Sequence, residues 1–296
     1  MMRLTTTAIR KLATGLCAAL ALAYSNAALA DQPHPWQFGF QDAATPITEW
    51  IHEFHNWLLI IIFLISIFVF GLLAYVMIRF NHRSHPVPTR TTHNTVVEVL
   101  WTVVPVLILV TIAIPSFKLM YYMDRVPDAK MTIKVTGHQW VWEYTYPDQG
   151  NINFKSLMIE DKDLKAGQPR LLEVDNPLVI PVATNIRVQV AGEDVIHSWF
   201  VPSFGVQEYA VVGRLNEAWI NVEHEGTYYG ECNQICGVNH AFMPIEVKVV
   251  SQADFQKWVQ TQKTAMRDRD QVPGADVTKV ADVAPATAAE PTKVGN

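Results

Sequence analysis

The sequence predicts a membrane-anchored all-β protein, a transmembrane hairpin of two helices followed by an antiparallel β-sandwich or barrel. Three observations carry that prediction. Two uncharged apolar runs, at 57–78 and 99–117, are each long enough to cross a hydrocarbon core of about 30 Å as a helix. Beyond residue 131, roughly 120 residues break into short β-like runs separated by turn residues. Half of the 296 residues are hydrophobic and only 17% are charged, which is too apolar for a disordered chain. Three cysteines are too few for a disulfide scaffold. A formal net charge of −5 argues against nucleic acid as a partner.

Residues 1–30 read as a secretory signal. Arg3, Arg10 and Lys11 form a basic head, 12–22 an apolar run, and Ala28-Leu29-Ala30 a small-x-small cleavage site before Asp31. The run is short for a signal anchor. Cleavage would remove three cations and no acid, and it would leave Cys232 and Cys236 as the only cysteines. Residues 31–56 form an outer N-terminal segment in which Thr45 and Pro46 mark a helix start ahead of the first span. The spans are then 57–78 and 98–122, with Pro105 and Pro115 tolerated as kinks.

Orientation follows from the loop between them. Residues 79–97 hold Arg79, Arg83 and Arg90 and no acid, which places that loop on the cytoplasmic side and both termini outside. A signal sequence predicts the same topology. The outer domain, 131–251, has strand-like runs at 131–135, 170–174, 186–190, 218–222 and 245–249. After it a short helix through Phe255 and Trp258 gives way, from about Thr264, to an Ala/Pro/Thr-rich tail of disordered composition, so 252–296 reads as a short helix and a disordered tail.

The chemistry is concentrated in Cys232-x3-Cys236-Gly-x2-His240-x2-Met243-Pro244. Thiolate, imidazole and thioether together suit copper in an electron-transfer site, whereas zinc favours Cys/His sets without methionine and iron–sulfur clusters favour four cysteines. Another imidazole is needed, and His197, 35 residues upstream of Cys232, is the best candidate. Taken alone, the two cysteines suit an outer-compartment disulfide as well as a metal. A second cysteine departs from the mononuclear pattern of one cysteine, two histidines and an axial methionine. Two thiolates can instead bridge two ions, and sharing one electron over both lowers the rearrangement per transfer.

With Glu193-Asp194-Val195-x-His197-Ser198-Trp199 and Gly137-His138-Gln139-Trp140 added, the sequence over about 46–251 resembles subunit II of cytochrome c oxidase, of bacterial or mitochondrial type. The resemblance implies a cupredoxin-like β-barrel with a dinuclear copper centre, CuA, of two copper ions. Cys232 and Cys236 would bridge the coppers, His197 and Met243 would complete one, and His240 with the backbone carbonyl of Gln234 the other. Where this chain has Gln234 the family commonly has Glu, whose carboxylate also reaches a magnesium ion at the boundary with subunit I. A neutral amide is a weaker partner for a hard cation, which puts magnesium in question here.

The resemblance further makes Trp140 the receiver of electrons from cytochrome c and Glu98 the entrance of a proton pathway into subunit I. Thr95 and Glu98 also read as a capping box opening the second span. If residues 138–146 form one strand, the even-numbered residues share a face, and Trp142, Tyr144 and Tyr146 read as packed core. Residues 131–251 carry 15 acids and 8 bases, suited to a basic donor protein, and Asp175, Glu193 and Asp194 match family docking positions. The implied partners are cytochrome c, subunit I with its haem a, subunit III and the lipid bilayer. The implied activity is that of a subunit of a respiratory terminal oxidase in the bacterial inner membrane. Electrons pass inward through this chain, while oxygen reduction coupled to proton translocation belongs to subunit I. A quinol oxidase subunit lacks the copper ligands, a nitrous-oxide reductase lacks the hairpin, and a copper chaperone has no need of Trp140.

Overall fold

A computed structural model describes residues 32–87 and 89–270. The signal segment and the tail beyond residue 270 lie outside them. Two long helices come first, α1 (Pro46–Arg79) and α2 (Thr95–Asp124). Both are long and apolar enough to span a bilayer, and their apolar side chains point outward rather than into a core. The helix of α1 does start at Pro46, eleven residues before the uncharged run, with the Thr45 hydroxyl accepting from the Thr48 amide at 3.2 Å. In α2 the cap is Asn94 rather than Thr95. Its side-chain oxygen accepts from the amides of Val96 and Val97, and Glu98 reaches back to the Asn94 amide at 3.2 Å. Asparagine is as good a cap as threonine and sits one residue earlier, where the backbone is still extended.

The start of α1 is fastened to the β domain. Thr45 Oγ1 donates to the Phe204 carbonyl and Thr48 Oγ1 to the Ser203 carbonyl, both at 2.9 Å, and the Ala44 amide also donates to Ser203. All three residues are buried, so these bonds are shielded from water.

Two five-stranded sheets pack face to face around an apolar core. The first runs β3 (Ile152–Ser156), β2 (Val141–Tyr146), β1 (Met131–His138), β5 (Ile186–Gly192) and β8 (Asn216–Ile220). The second runs β4 (Leu178–Pro181), β10 (Pro244–Val250), β9 (Gly226–Cys232), β6 (His197–Val201) and β7 (Val206–Ala210). Most pairings are antiparallel as expected, but β1 pairs β5 and β10 pairs β4 in parallel, because long connections return the chain in the same direction.

Residues 170–174 are not a strand. Leu171 has φ +66°, a left-handed conformation incompatible with a ladder, and only Val174 makes an isolated bridge, to Met158. Trp140 likewise lies outside the strands. With Gln139 it forms the two-residue turn between β1 and β2, so the buried ladder begins with Trp142 and continues through Tyr144 and Tyr146. The final helix, α3 (Gln252–Asp270), runs past Thr264 and buries Phe255 and Val259 against the end of the barrel, with Trp258 5.0 Å from the Tyr146 ring.

Candidate metal centre

Strand β9 ends at Cys232, and the loop leading to β10 turns back over the end of the barrel. That loop carries Gln234, Cys236, His240 and Met243, while β6, hydrogen-bonded to β9, begins at His197. Residues far apart in the chain therefore meet at one edge. The sulfurs of Cys232 and Cys236 are 3.8 Å apart, and both cysteines are free thiols, so they do not form the alternative disulfide. Around Cys236 Sγ, the Nδ1 of His240 lies at 3.5 Å and the sulfur of Met243 at 3.6 Å. The Gln234 carbonyl lies 3.4 Å from Cys232 Sγ. The ligand atoms of His197, Cys232 and Cys236 are within 4.8 Å of one another.

His197 is held from outside. Its Nε2 contacts Asp194 Oδ1 at 2.8 Å, and the side chain is fully buried. The other nitrogen, Nδ1, is buried without a hydrogen-bond partner among the described residues. An orphaned imidazole nitrogen beside two thiols is what a soft metal would satisfy, so the donor set fits copper.

Electrostatics separate the two thiols. Burial raises both, but the His197 imidazole beside it, the Ser198 and Gln234 backbone and His240 bring Cys232 below the ordinary thiol range. Cys236, buried and facing the charge that forms on Cys232, is held above it. One thiolate is thus ready to bind, and a cation is needed to ionise the second. Burial opposes the charge on Asp194, yet bonds from His197 and from the amides of Val195 and Gln139 hold its carboxyl below its ordinary value.

Trp140 is half-buried and lies over the loop, its Nε1 donating to the Cys236 carbonyl at 3.3 Å. Gln139 Nε2 donates to the same carbonyl at 2.7 Å. Gly237, at φ +124°, makes this approach feasible, since a Cβ there would stand 2.8 Å from the indole. On the opposite side Trp142 Nε1 donates to the Met243 carbonyl at 3.1 Å. Sequence reasoning missed Gln139 and Trp142 in these roles: the Gly137–Trp140 stretch was the signal for Gln139, and Trp142 read only as packed core in the aromatic ladder.

The other expected residues lie farther out. Glu193 is largely exposed and contacts His138, which also contacts Glu143, each at 3.0 Å. Asp175 is exposed and accepts from the Leu157 amide. Asp194 stands apart from this pair, because its oxygens are engaged within the chain. Glu98 sits at the far end of α2 and is half-buried.

Residues 131–250 match the family described as cytochrome c oxidase subunit II, periplasmic domain, and residues 33–119 match its transmembrane domain. The chain is 50% identical over 236 residues to the probable cytochrome c oxidase subunit 2 of Rickettsia bellii, covering 80% of this chain and 88% of that one. It is 49% identical over 238 residues to cytochrome c oxidase subunit 2 of Arabidopsis thaliana, covering 78% and 92% respectively. A crystal structure of the periplasmic domain of subunit II of cytochrome oxidase from Bradyrhizobium japonicum is 51% identical, covering 48% of this chain and 99% of that one, with a TM-score of 0.45. Matches on both the paired apolar helices and the β domain make this a two-pass membrane protein that belongs to the cytochrome c oxidase subunit II family.

Proposed function

We propose that this chain receives single electrons from cytochrome c outside the bacterial inner membrane and delivers them to haem a of subunit I. The family implies copper, and the observation that carries the reading is the convergence of Cys232, Cys236, His197, His240 and Met243 on one buried edge. Two coppers bound there would supply a shared one-electron store. Cys232, Cys236, His197, Met243, His240 and the Gln234 carbonyl would hold them.

The chain's own residues prepare this site. Asp194 holds the His197 imidazole at Nε2 and leaves Nδ1 without another partner among the described residues. Met243 and Trp142 close the inner side against water. Trp140 offers an indole bonded directly to the Cys236 backbone, a short path from a protein docked above it. Glu193, Glu143 and Asp175 leave negative charge on the outer domain, which favours a basic donor. Gln234 retains its backbone carbonyl but lacks a carboxylate, so magnesium binding is not part of the proposal. Glu98, at the opposite end of the hairpin, would admit protons to subunit I, and subunit III would complete the assembly.

Metal analysis of the purified oxidase tests the count. Two coppers in this chain and a mixed-valence EPR signal are expected. Replacing Cys232 or Cys236 by Ser should abolish the signal together with oxidation of cytochrome c. A single copper with wild-type activity overturns the dinuclear reading.

A further inference from the structure

Beyond the metal centre the structure contains an unused cleft of about 900 Å³, where the start of α1, the end of α2 and the underside of the β domain meet. Its floor is rigid. The rings of Trp50 and Tyr122 stack at 4.6 Å, Tyr122 meets the Trp219 ring edge-on at 5.4 Å, and Trp219 Nε1 donates to the Tyr122 carbonyl at 3.2 Å. Its charge is cationic. Lys118, near the end of α2, and Arg125, the residue that follows its last turn, both line the cleft, and among the described residues neither side chain is paired with a carboxylate. Asp128 is the one acid among the lining residues.

The height of the cleft is set by the span. Residues 99–117 carry no charge, and Lys118 is the first cation after them. Trp50, Tyr121 and Tyr122 therefore lie where aromatic side chains gather at a membrane–water boundary. A second groove, of about 350 Å³, continues from the cleft and shares Trp50 and Lys118 with it. Its walls are Phe54, Trp57, Pro115 and Leu119, with Glu53 at the edge. A chamber edged by two cations and opening into an apolar slot between two spanning helices has the shape and charge distribution of one lipid molecule.

We propose that the cleft and groove together bind one anionic glycerophospholipid of the leaflet on the β-domain side. The phosphodiester sits between Lys118 and Arg125, and an acyl chain lies along Phe54, Trp57 and Leu119. In the cleft itself two cations face one acid, Asp128, while Glu53 stands at the edge of the groove, and this local excess of positive charge favours a headgroup with net negative charge over a zwitterionic one.

The test uses the intact oxidase in nanodiscs of equal phosphatidylglycerol and phosphatidylcholine, released into native mass spectrometry. One retained phosphatidylglycerol per copy is expected, with retention falling about tenfold or more in K118Q/R125Q and preserved in K118R/R125K. Copper content serves as the folding control and is expected to stay unchanged. A photoactivatable phosphatidylglycerol should label the segments around Trp50, Trp57 and Lys118 in the unaltered protein, whatever the variants do. Equal retention of both lipids, equal retention by the Gln pair, displacement by inorganic phosphate alone, or labelling confined to other segments overturns the proposal. Subunit I filling the cleft would also give no label there, and would overturn it.

Discussion

Asp194 Oδ1 stands 2.8 Å from Nε2 of His197, so the imidazole is gripped at one nitrogen, while the other is buried without a partner among the described residues, in a residue that clusters with the two cysteines. The carboxylate is itself fixed by the amides of Gln139 and Val195. Losing such an outer partner typically lowers metal affinity about 10–100-fold. Asp194→Asn should therefore weaken copper retention in a chelator titration by that order while leaving the fold intact. Unchanged retention would reduce Asp194 to a surface acid.

Gly137 lies against the same ring. A Cβ at this position would be 2.9 Å from Cδ2 of His197, with further ring atoms at 3.0 and 3.1 Å. The buried ring cannot swing away, so Gly137→Ala should cost about 1–3 kcal/mol, as overpacking does. Thermal unfolding of the metal-free protein checks this, and a perturbed copper spectrum should accompany it.

Trp140 should affect rate rather than metal content. Its hydrogen bond reaches a backbone carbonyl, not a sulfur. Trp140→Phe keeps an aromatic ring but loses the indole N–H. Electron uptake from reduced cytochrome c in stopped-flow should slow by at least about tenfold, ~1.4 kcal/mol of barrier, with copper stoichiometry unchanged. Loss of copper in this variant would mean that the residue is structural.

Glu246 provides a pH signature. Burial holds its carboxyl above the ordinary 4.5, bonds from the Val174 amide and Lys248 oppose that rise, and nearby Glu173 adds to it. Well below 4.5 the group is neutral folded and unfolded, so the buried charge costs nothing. As pH rises through 4.5 and on past the folded value, ionisation is easier in the unfolded chain and stability falls. The stability of Glu246→Gln relative to the parent should therefore increase from pH 4 to pH 7 in denaturant titrations. A difference that shrinks over that range would contradict the assignment.

Docking should depend on salt. With 15 acids against 8 bases over residues 131–251, the second-order rate with a basic cytochrome c should fall steeply as ionic strength rises. Glu193→Gln should flatten that dependence without changing the copper signal.

The hairpin was legible in the sequence because a bilayer tolerates few charges within a span, which leaves long apolar runs. The cluster of candidate donors was legible because Cys232, Cys236, His240 and Met243 fall within twelve residues, at the end of β9 and in the loop after it, and the demand for another imidazole singled out His197, which the fold brings beside the two cysteines. What escaped the sequence depends on tertiary proximity. Gln139 and Cys236 are 97 residues apart, and Trp142 and Met243 are 101 apart, so no local pattern announces their bonds. The parallel pairing of β1 with β5 is equally invisible to periodicity, which reports faces and not neighbours. The apolar residues at 170–174 imitated a strand, but the left-handed backbone at Leu171 turns them into a loop over Glu246, whose carboxylate receives the Val174 amide.

The bonds from Thr45 and Thr48 to Ser203 and Phe204 have a mechanical meaning. A globular head on a slack tether would sample many heights and tilts above the lipid surface. Here the first helix is clamped to its cargo before it enters the hydrocarbon, so the two move as one lever. Tunnelling probability decays exponentially with separation, so a fixed stand-off would narrow the spread of transfer rates from one molecule to the next.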